Sequence, residues 1–396
     1  MQLRALTLAM ATLTASAAFT SLPAHAQTAA PAAAAASAVD YKAVATHYAA
    51  LVHANYADTL AAAKDMQAAI AAFVAAPSAE GLDKARKAWL EGREFYGQTE
   101  TFRFYGGPID DDKGPEGQIN AWPLDESYVD YVTGKSKTGM VNNPKFKITK
   151  AALTKANERG GEENISAGWH AVEFLLWGQD LSETGPGNRS FEDYVKGKGE
   201  NVERRAQYLT TATELLVDDL AAMTKAWEPN AKNYRAKFEK GGKESVRKMI
   251  VGMGSLSRGE LAGERMEVAL NSQDQEDEHS CFSDNTHRDV VTNAKGIQNV
   301  WLGQYTQRDG SKQQGPGVRD LVATKNPALA EKTTVQIAGS VSGAEAIPAP
   351  FDRAIFKGSA GRPAVEKTIA SLVEQSKLLV ESASAVGIAK LTLVEP

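Results

Sequence analysis

The chain has 396 residues, of which 43% are hydrophobic and 23% charged, and this balance excludes a wholly disordered protein. Its net charge of −5 gives no sign of the basic surface that binding to nucleic acid or to an anionic membrane requires. The single cysteine, Cys281, excludes an internal disulfide framework and a cysteine-rich zinc or iron–sulfur site.

The N-terminal residues 1–26 have the pattern of a secretory signal peptide. Arg4 supplies the positive start, residues 6–22 are apolar or small, and residues 24–26 form an A-x-A cleavage site. No cysteine lies near this site, so no lipid anchor is expected there. No later run of about 18 apolar residues predicts a membrane span. We therefore expect a soluble periplasmic protein that is not a lipoprotein.

Helical patterns cover most of the chain after residues 27–39, an alanine-rich stretch that we interpret as a flexible leader. Composition, apolar stripes at helical spacing and terminating proline or glycine predict helices at 40–76, 83–104, 125–132, 166–177, 202–227, 243–270 and 365–379. Residues 106–123 and 271–286 are predicted loops, and Leu391–Val394 is the one short strand candidate. The predicted fold class is therefore all-α, built as helical bundles.

The apolar helix predicted at 166–177 carries the pair His170 and Glu173. A spacing of three residues places both side chains on one helix face, where an imidazole and a carboxylate can bind one metal ion. The alternative is that the histidine only hydrogen-bonds the glutamate inside a core. Apolar residues 174–177 follow, so the helix is predicted to be deeply packed, and burying Glu173 without a cation or strong donors would be costly. This context favours the metal site.

Carboxylates are concentrated in a second segment, residues 93–125. Asp110–Asp112 are interpreted as part of a solvated acidic loop. Glu100 and Asp125 have aromatic and apolar neighbours and are predicted to be less solvated. These two carboxylates could complete a site that the histidine–glutamate pair begins.

A third polar segment, residues 255–289, contains His279, Cys281 and His287. A reactive cysteine–histidine pair and a second metal site are two alternatives for it. A small buried thiol, together with side-chain caps that organise a polar loop, is the interpretation that we favour.

Three blocks of this sequence resemble the imelysin family, which includes the insulin-cleaving protein and bacterial iron-regulated proteins. They are GWHAVEFLLWGQDL with its GxHxxE core, GPEGQINAWPLDESYVDYV, and GMGSLSRGELAGERMEVAL continuing into SQDQEDEHSCFSDNTHRD. The similarity is greatest to the iron-regulated branch. It implies two helical-bundle domains, here residues 40–200 and 201–396, with the GxHxxE site in a groove between them.

The family motif falls on Gly168, as a structural residue, and on His170 and Glu173 as metal ligands. The resemblance also places Glu100 and Asp125 beside them, as carboxylates of the related periplasmic iron-uptake component. What the resemblance implies is thus a metal site with one histidine and several carboxylates.

Two functions follow from this resemblance, a metal-binding protein of iron acquisition and a metallopeptidase. The chain lacks the H-E-x-x-H motif that zinc hydrolases commonly carry and the G-x-S-x-G elbow of serine hydrolases. One histidine with carboxylates suits iron better than a typical His₂Glu zinc site does, and zinc or another divalent ion is the alternative metal. We therefore predict a periplasmic iron-binding protein, with a membrane component of iron uptake as its partner. The metallopeptidase is the alternative, and a groove for a ligand other than a metal is the third option.

Overall fold

The computed structural model describes residues 39–395. The predicted signal peptide at 1–26, and the predicted leader at 27–39 apart from its last residue, lie outside this range. The first eight helices are α1 (Tyr41–Ala75), α2 (Ala79–Tyr96), α3 (Glu116–Ile119), α4 (Glu126–Val129), α5 (Gly139–Asn142), α6 (Lys150–Ala156), α7 (Gly168–Trp177) and α8 (Val202–Ala226). They are followed by α9 (Tyr234–Phe238), α10 (Lys243–Ser255), α11 (Val268–Ser272), α12 (Thr286–Leu302), α13 (Val318–Ala323), α14 (Pro327–Glu345), α15 (Phe351–Ile355) and α16 (Arg362–Ala385).

The predicted all-α class is confirmed, because helices dominate the described residues. Short 3₁₀ helices lie at Gly97–Phe102, Phe191–Tyr194 and Gln275–Asp277, and a π-helix spans Leu256–Glu267. The sheet that the structure shows between residues 39 and 395 is an antiparallel hairpin of β1 (Gln304–Thr306) and β2 (Lys312–Gln314).

The strand predicted at Leu391–Val394 is wrong. This segment has no strand partner, and it lies against the end of α10 instead. Leu393 packs onto Gly254, where an added Cβ would come within 2.7 Å of the leucine side chain. The N–H of Val394 donates to the hydroxyl of Ser255 at 3.0 Å. The alternating pattern therefore reflects one face packed on a helix and not a sheet.

Helix α1 follows the prediction for residues 40–76 closely, since both of its ends have local signals. The side chain of Asp40 accepts a hydrogen bond from the N–H of Ala43 at 2.8 Å and caps the helix. Pro77 follows its last turn and ends it. Along its length α1 packs against α2 and α8, so it forms the centre of the first group of helices.

The helix predicted at 243–270 is one continuous stretch in which α10 passes into the π-helix and then α11. Its glycines weaken an isolated helix, and the fold explains one of them directly. A Cβ on Gly252 would lie 2.4 Å from the backbone oxygen of Thr101. Glycine therefore lets the end of the 3₁₀ helix Gly97–Phe102 approach α10 closely.

Two groups of helices meet around that 3₁₀ helix. In one, α7 packs against α2 and α8; in the other, α16 packs against α10, α14 and the π-helix. Helix α12 contacts both α14 and the 3₁₀ helix. The domain division at residue 200 stays a prediction; α8, the first helix after it, packs against α1 and α7. Of the helices described, none combines the length and apolarity needed to cross a bilayer.

Candidate functional site

Gly168 begins α7, and the fold requires a glycine at this position. Its φ is +84°, and an added Cβ would lie 2.4 Å from the carbonyl oxygen of Ile119. An L-residue would be strained there whatever its size, because this backbone conformation is costly for residues with a Cβ. All ten residues of α7 are buried, so the positive-φ glycine is the point at which the chain turns into a core helix.

A Gly168→Ala substitution is therefore expected to lower the free energy of unfolding by about 2–3 kcal/mol. The matched control is Gly339→Ala in α14, where an added Cβ meets nothing within 4 Å. This control should be neutral or stabilising by up to about 1 kcal/mol. Urea denaturation of both variants measures the difference, and equal stabilities would contradict the structural role of Gly168.

His170 and Glu173 contact each other as their spacing predicts. The His170 Nδ1 lies 2.8 Å from the Glu173 Oε2, and both side chains are buried. The other carboxylate oxygen, Oε1, accepts hydrogen bonds from the backbone N–H of Ser283 at 2.9 Å and from its hydroxyl at 2.6 Å. Both oxygens of Glu173 are thus engaged, whereas the His170 Nε2 is buried and has no hydrogen-bond partner.

His170 lines a small cavity of about 10 Å³, the volume that one water molecule or one ion occupies. Residues of the third sequence segment and Trp122 line the same cavity; those of the segment are Glu276, Glu278, His279, Cys281 and Phe282. The rings of His170 and His279 are 4.9 Å apart between centroids. The structure therefore brings the first and third segments together.

The electrostatics of the pair keep His170 uncharged. Burial, helped by the positive charge of Arg93, lowers the pKa of His170 well below its ordinary value. Burial raises the pKa of Glu173 to about 8, although the hydrogen bonds from Ser283 oppose this shift. A neutral imidazole is the form that binds metals, so His170 is in a competent charge state at neutral pH.

Glu100 lies in the 3₁₀ helix Gly97–Phe102 and is fully buried. Its Oε2 accepts hydrogen bonds from Arg265 and, at 2.9 Å, from Arg103. Burial opposes ionisation, but the two guanidinium groups outweigh it and lower the pKa of Glu100 to about 2. The negative charge of Glu100 slightly opposes the lowering of the His170 pKa. The Oε1 of Glu100 is buried and has no hydrogen-bond partner. Glu100 therefore has one oxygen free, while its charge is already balanced.

Asp125 has a local structural task. It caps α4, and its Oδ1 accepts hydrogen bonds from the N–H of Ser127 at 2.9 Å and from its hydroxyl at 2.7 Å. Its neighbour Leu124 lines the cavity, and Asp125 itself does not. A role for Asp125 as a metal ligand stays a prediction.

The third segment is more buried than a polar loop should be. His279 lies with its ring nitrogens 3.5 Å from Arg93 and 3.2 Å from Asn120. Burial raises the pKa of the Cys281 thiol well above its usual range, as expected for an inert core thiol. His287 contacts the backbone oxygen of Asp284 at 3.1 Å. These contacts fit the favoured interpretation of a buried thiol in an organised loop.

The sequence predictions did not include Ser283 or Glu278, although both belong to this buried region. The sequence signal for this region is the run of acidic residues on both sides of Cys281 and Phe282. Apolar residues in so acidic a segment indicate that part of the loop is buried. Among residues 39–395, one group of three carboxylates or histidines has ligand atoms within 4.8 Å of one another, and it consists of Glu278, Asp284 and Asp352.

The sequence profile of the imelysin family, also described as peptidase M75, matches residues 52–379. The chain belongs to the imelysin family. A curated relative of this imelysin, iron-regulated protein A of Synechococcus elongatus, is 27% identical over 75% of this chain and 73% of its own length.

Two solved structures share the imelysin fold with this chain. One is a putative iron-regulated protein A precursor from Parabacteroides distasonis, with a TM-score of 0.67 and 19% identity over 91% of this chain and 97% of its own. The other is an imelysin-like protein from Psychrobacter arcticum, with a TM-score of 0.62 and 14% identity over 86% of this chain and 92% of its own.

Proposed function

We propose that this imelysin is exported to the periplasm, binds iron at a site centred on His170 and takes part in iron acquisition. The observation that carries the proposal is His170, whose Nε2 is buried without a hydrogen-bond partner and which lines a cavity of about 10 Å³. A buried nitrogen without a partner is costly unless a ligand satisfies it. The name of the Synechococcus relative, iron-regulated protein A, supports iron as the metal.

The hydrogen bonds of Glu173 support a positioning role in this proposal. Metal-binding histidines commonly donate their second ring nitrogen to a carboxylate, which fixes the tautomer and the ring orientation. Burial raises the pKa of Glu173 to about 8, and a bound cation would favour its ionised form. In that form Glu173 is placed to accept from the His170 Nδ1, and Ser283 in turn holds Glu173. Direct ligation by Glu173, as predicted from the spacing, would require it to give up one of these contacts.

The remaining ligands are proposed to be oxygens. Glu100 is the first candidate, because its Oε1 is buried without a partner, although it does not line the cavity in this structure. Asp125 is the further candidate, if its side chain leaves the cap of α4. Carboxylate oxygens with one imidazole form a hard ligand set, which suits iron.

The metallopeptidase is the second candidate, and the nearness of His279 is the observation that favours it. Two histidines with a carboxylate are the ligands of many zinc hydrolases. The ring nitrogens of His279, however, already contact Arg93 and Asn120. Iron binding at His170 is therefore the function that the geometry supports better.

Metal analysis of the purified protein, beside the double variant His170→Ala/Glu173→Ala, tests the proposal. The parent is expected to bind iron in calorimetric titration, and the double variant is expected to lose that binding while keeping its helical circular dichroism. Equal binding of iron and zinc by parent and double variant would show that the cavity serves another ligand. Chelator-sensitive cleavage of a denatured protein substrate, lost in the double variant, would favour the metallopeptidase.

A further inference from the structure

A second group of carboxylates converges beside the His170 cavity, from three separate parts of the chain. Glu278 follows the 3₁₀ helix Gln275–Asp277, Asp284 precedes α12, and Asp352 lies in α15. One oxygen of each lies within 4.8 Å of the others. Glu278 is only 2% exposed, and neither of its carboxylate oxygens has a hydrogen-bond partner.

The charge of this group is unbalanced. Among the described residues, the one basic side chain in a salt bridge with any of the three is Arg353, whose Nε lies 2.6 Å from Asp352. Burial raises the pKa of all three groups, that of Asp284 to about 7, so they favour their neutral forms until a cation binds. When all three are ionised, they and the one guanidinium carry a formal charge of −3 + 1 = −2. Asp180, itself buried, adds further negative charge beside Glu278 and Asp284. A divalent cation would neutralise the group.

The spacing fits an ion between the oxygens better than a proton shared by two carboxyls. Two carboxyls that share a proton must hydrogen-bond, and both oxygens of Glu278 lack such a bond. Oxygen ligands lie 2.3–2.6 Å from Ca²⁺, so two of them on opposite sides of the ion are about 4.6–5.2 Å apart. The three oxygens lie within 4.8 Å of one another, so one ion of this size can contact all of them.

We propose that Glu278, Asp284 and Asp352 form a second cation site, which takes a hard divalent ion and is selective for Ca²⁺ over Mg²⁺. The group offers oxygen atoms alone, which hard cations prefer. Mg²⁺ gives up its hydration water reluctantly, whereas Ca²⁺ accepts carboxylates from buried side chains such as Glu278 and Asp352 in a flexible geometry.

This second site would also support the first. Asp284 follows Ser283, the residue that donates two hydrogen bonds to Glu173. Glu278 also lines the cavity of His170. A cation bound by Glu278 and Asp284 therefore holds the loop between them in the conformation that positions Glu173.

The test is a calorimetric titration of the purified, chelator-treated protein with CaCl2 and, separately, with MgCl2. Thermal unfolding is then measured with and without each ion. We expect one Ca²⁺ per chain, a higher Tm with Ca²⁺, and at least ten-fold weaker binding of Mg²⁺. Glu278→Gln should lower Ca²⁺ affinity at least ten-fold. The control Asp277→Asn, in the same segment but outside the group, should leave it within two-fold.

A second readout keeps the test informative if Glu278→Gln changes stability. Without Ca²⁺ this variant should unfold at the parent's temperature or above it, because it removes a buried carboxyl that has no hydrogen-bond partner. With Ca²⁺ it should gain less in Tm than the parent. His170→Ala should bind Ca²⁺ like the parent, so a failure of iron binding at His170 leaves this result unchanged. No heat and no Tm shift at millimolar Ca²⁺, or equal Ca²⁺ affinity of Glu278→Gln and parent, would overturn the proposal.

Discussion

An Asp130→Ala substitution is expected to lower the free energy of unfolding by about 3–5 kcal/mol, the largest effect on stability that we predict. Asp130 is fully buried, and its Oδ2 accepts hydrogen bonds from Arg205 at 2.6 Å and from Arg189 at 3.0 Å. Removing the carboxylate leaves the buried guanidinium of Arg205 without its counter-ion. The free-energy cost of leaving a buried charge without a partner is larger than the net stabilisation that the intact ion pair provides.

Asp193→Ala is the matched control for this prediction. Asp193 also pairs with Arg189, at 3.0 Å, but its side chain is 18% exposed. Water can replace it, so we expect a loss below about 1 kcal/mol. Urea denaturation of the two variants compares the buried carboxylate, Asp130, with the partly exposed one, Asp193; both pair with Arg189. Similar losses in the two variants would show that burial of the ion pair does not determine its contribution.

The same pair predicts how stability changes in acid. Burial opposes ionisation of Asp130, but Arg189 and Arg205 outweigh it and lower the pKa of Asp130 below its ordinary value. Because the folded-state pKa is depressed, the stabilisation is present above the unfolded pKa of about 3.9 and is lost as pH falls through the folded-state pKa. The stability difference between the parent and Asp130→Asn should therefore shrink as pH falls below about 4. A difference that is constant down to pH 2 would contradict the ion pair.

Local signals in the sequence predicted the helices well. The cap at Asp40 and the proline at position 77 act within a few residues of α1, so sequence alone shows both ends of this helix. The apolar run around His170 likewise predicted a buried helix, and all ten residues of α7 are buried. In each case the cause of the structure lies next to the residues that it organises.

Partners far apart in the chain explain what the sequence did not predict. Ser283 lies 110 positions from Glu173 yet holds one of its oxygens. Arg265 lies 165 positions from Glu100 and balances its charge. The sequence suggested that this carboxylate was free to bind a metal, but it is already in a salt bridge. No local pattern encodes such contacts, because they depend on how α7, α12 and the π-helix pack.

The largest expected effect on function is that of His170. We expect His170→Ala to lower the affinity for iron more than about 100-fold, because loss of a ligand should exceed the 10–100-fold typical of residues behind the ligands. His47→Ala is the matched control. His47 lies on α1, its Nε2 is 2.9 Å from the backbone oxygen of Gly303, and it does not line the cavity. Calorimetric titration with iron compares them. Unchanged iron affinity in His170→Ala would remove the site from this cavity.

Glu173→Gln separates positioning from ligation at the same site. Ser283 directs two donors at Oε1, so the amide oxygen of Gln is expected to face Ser283 and the amide nitrogen to face the His170 Nδ1. An N–H that points at Nδ1 makes this nitrogen the acceptor and moves the ring proton to Nε2, which then has no lone pair for a metal. Iron affinity should fall about 10–100-fold with the fold unchanged. Above pH 8, where Glu173 of the parent is ionised, the ¹⁵N shifts of the His170 ring should show a protonated Nε2 in the variant and an unprotonated Nε2 in the parent. If affinity falls while the Nε2 stays unprotonated, Glu173 acts as a ligand and not through the tautomer of His170.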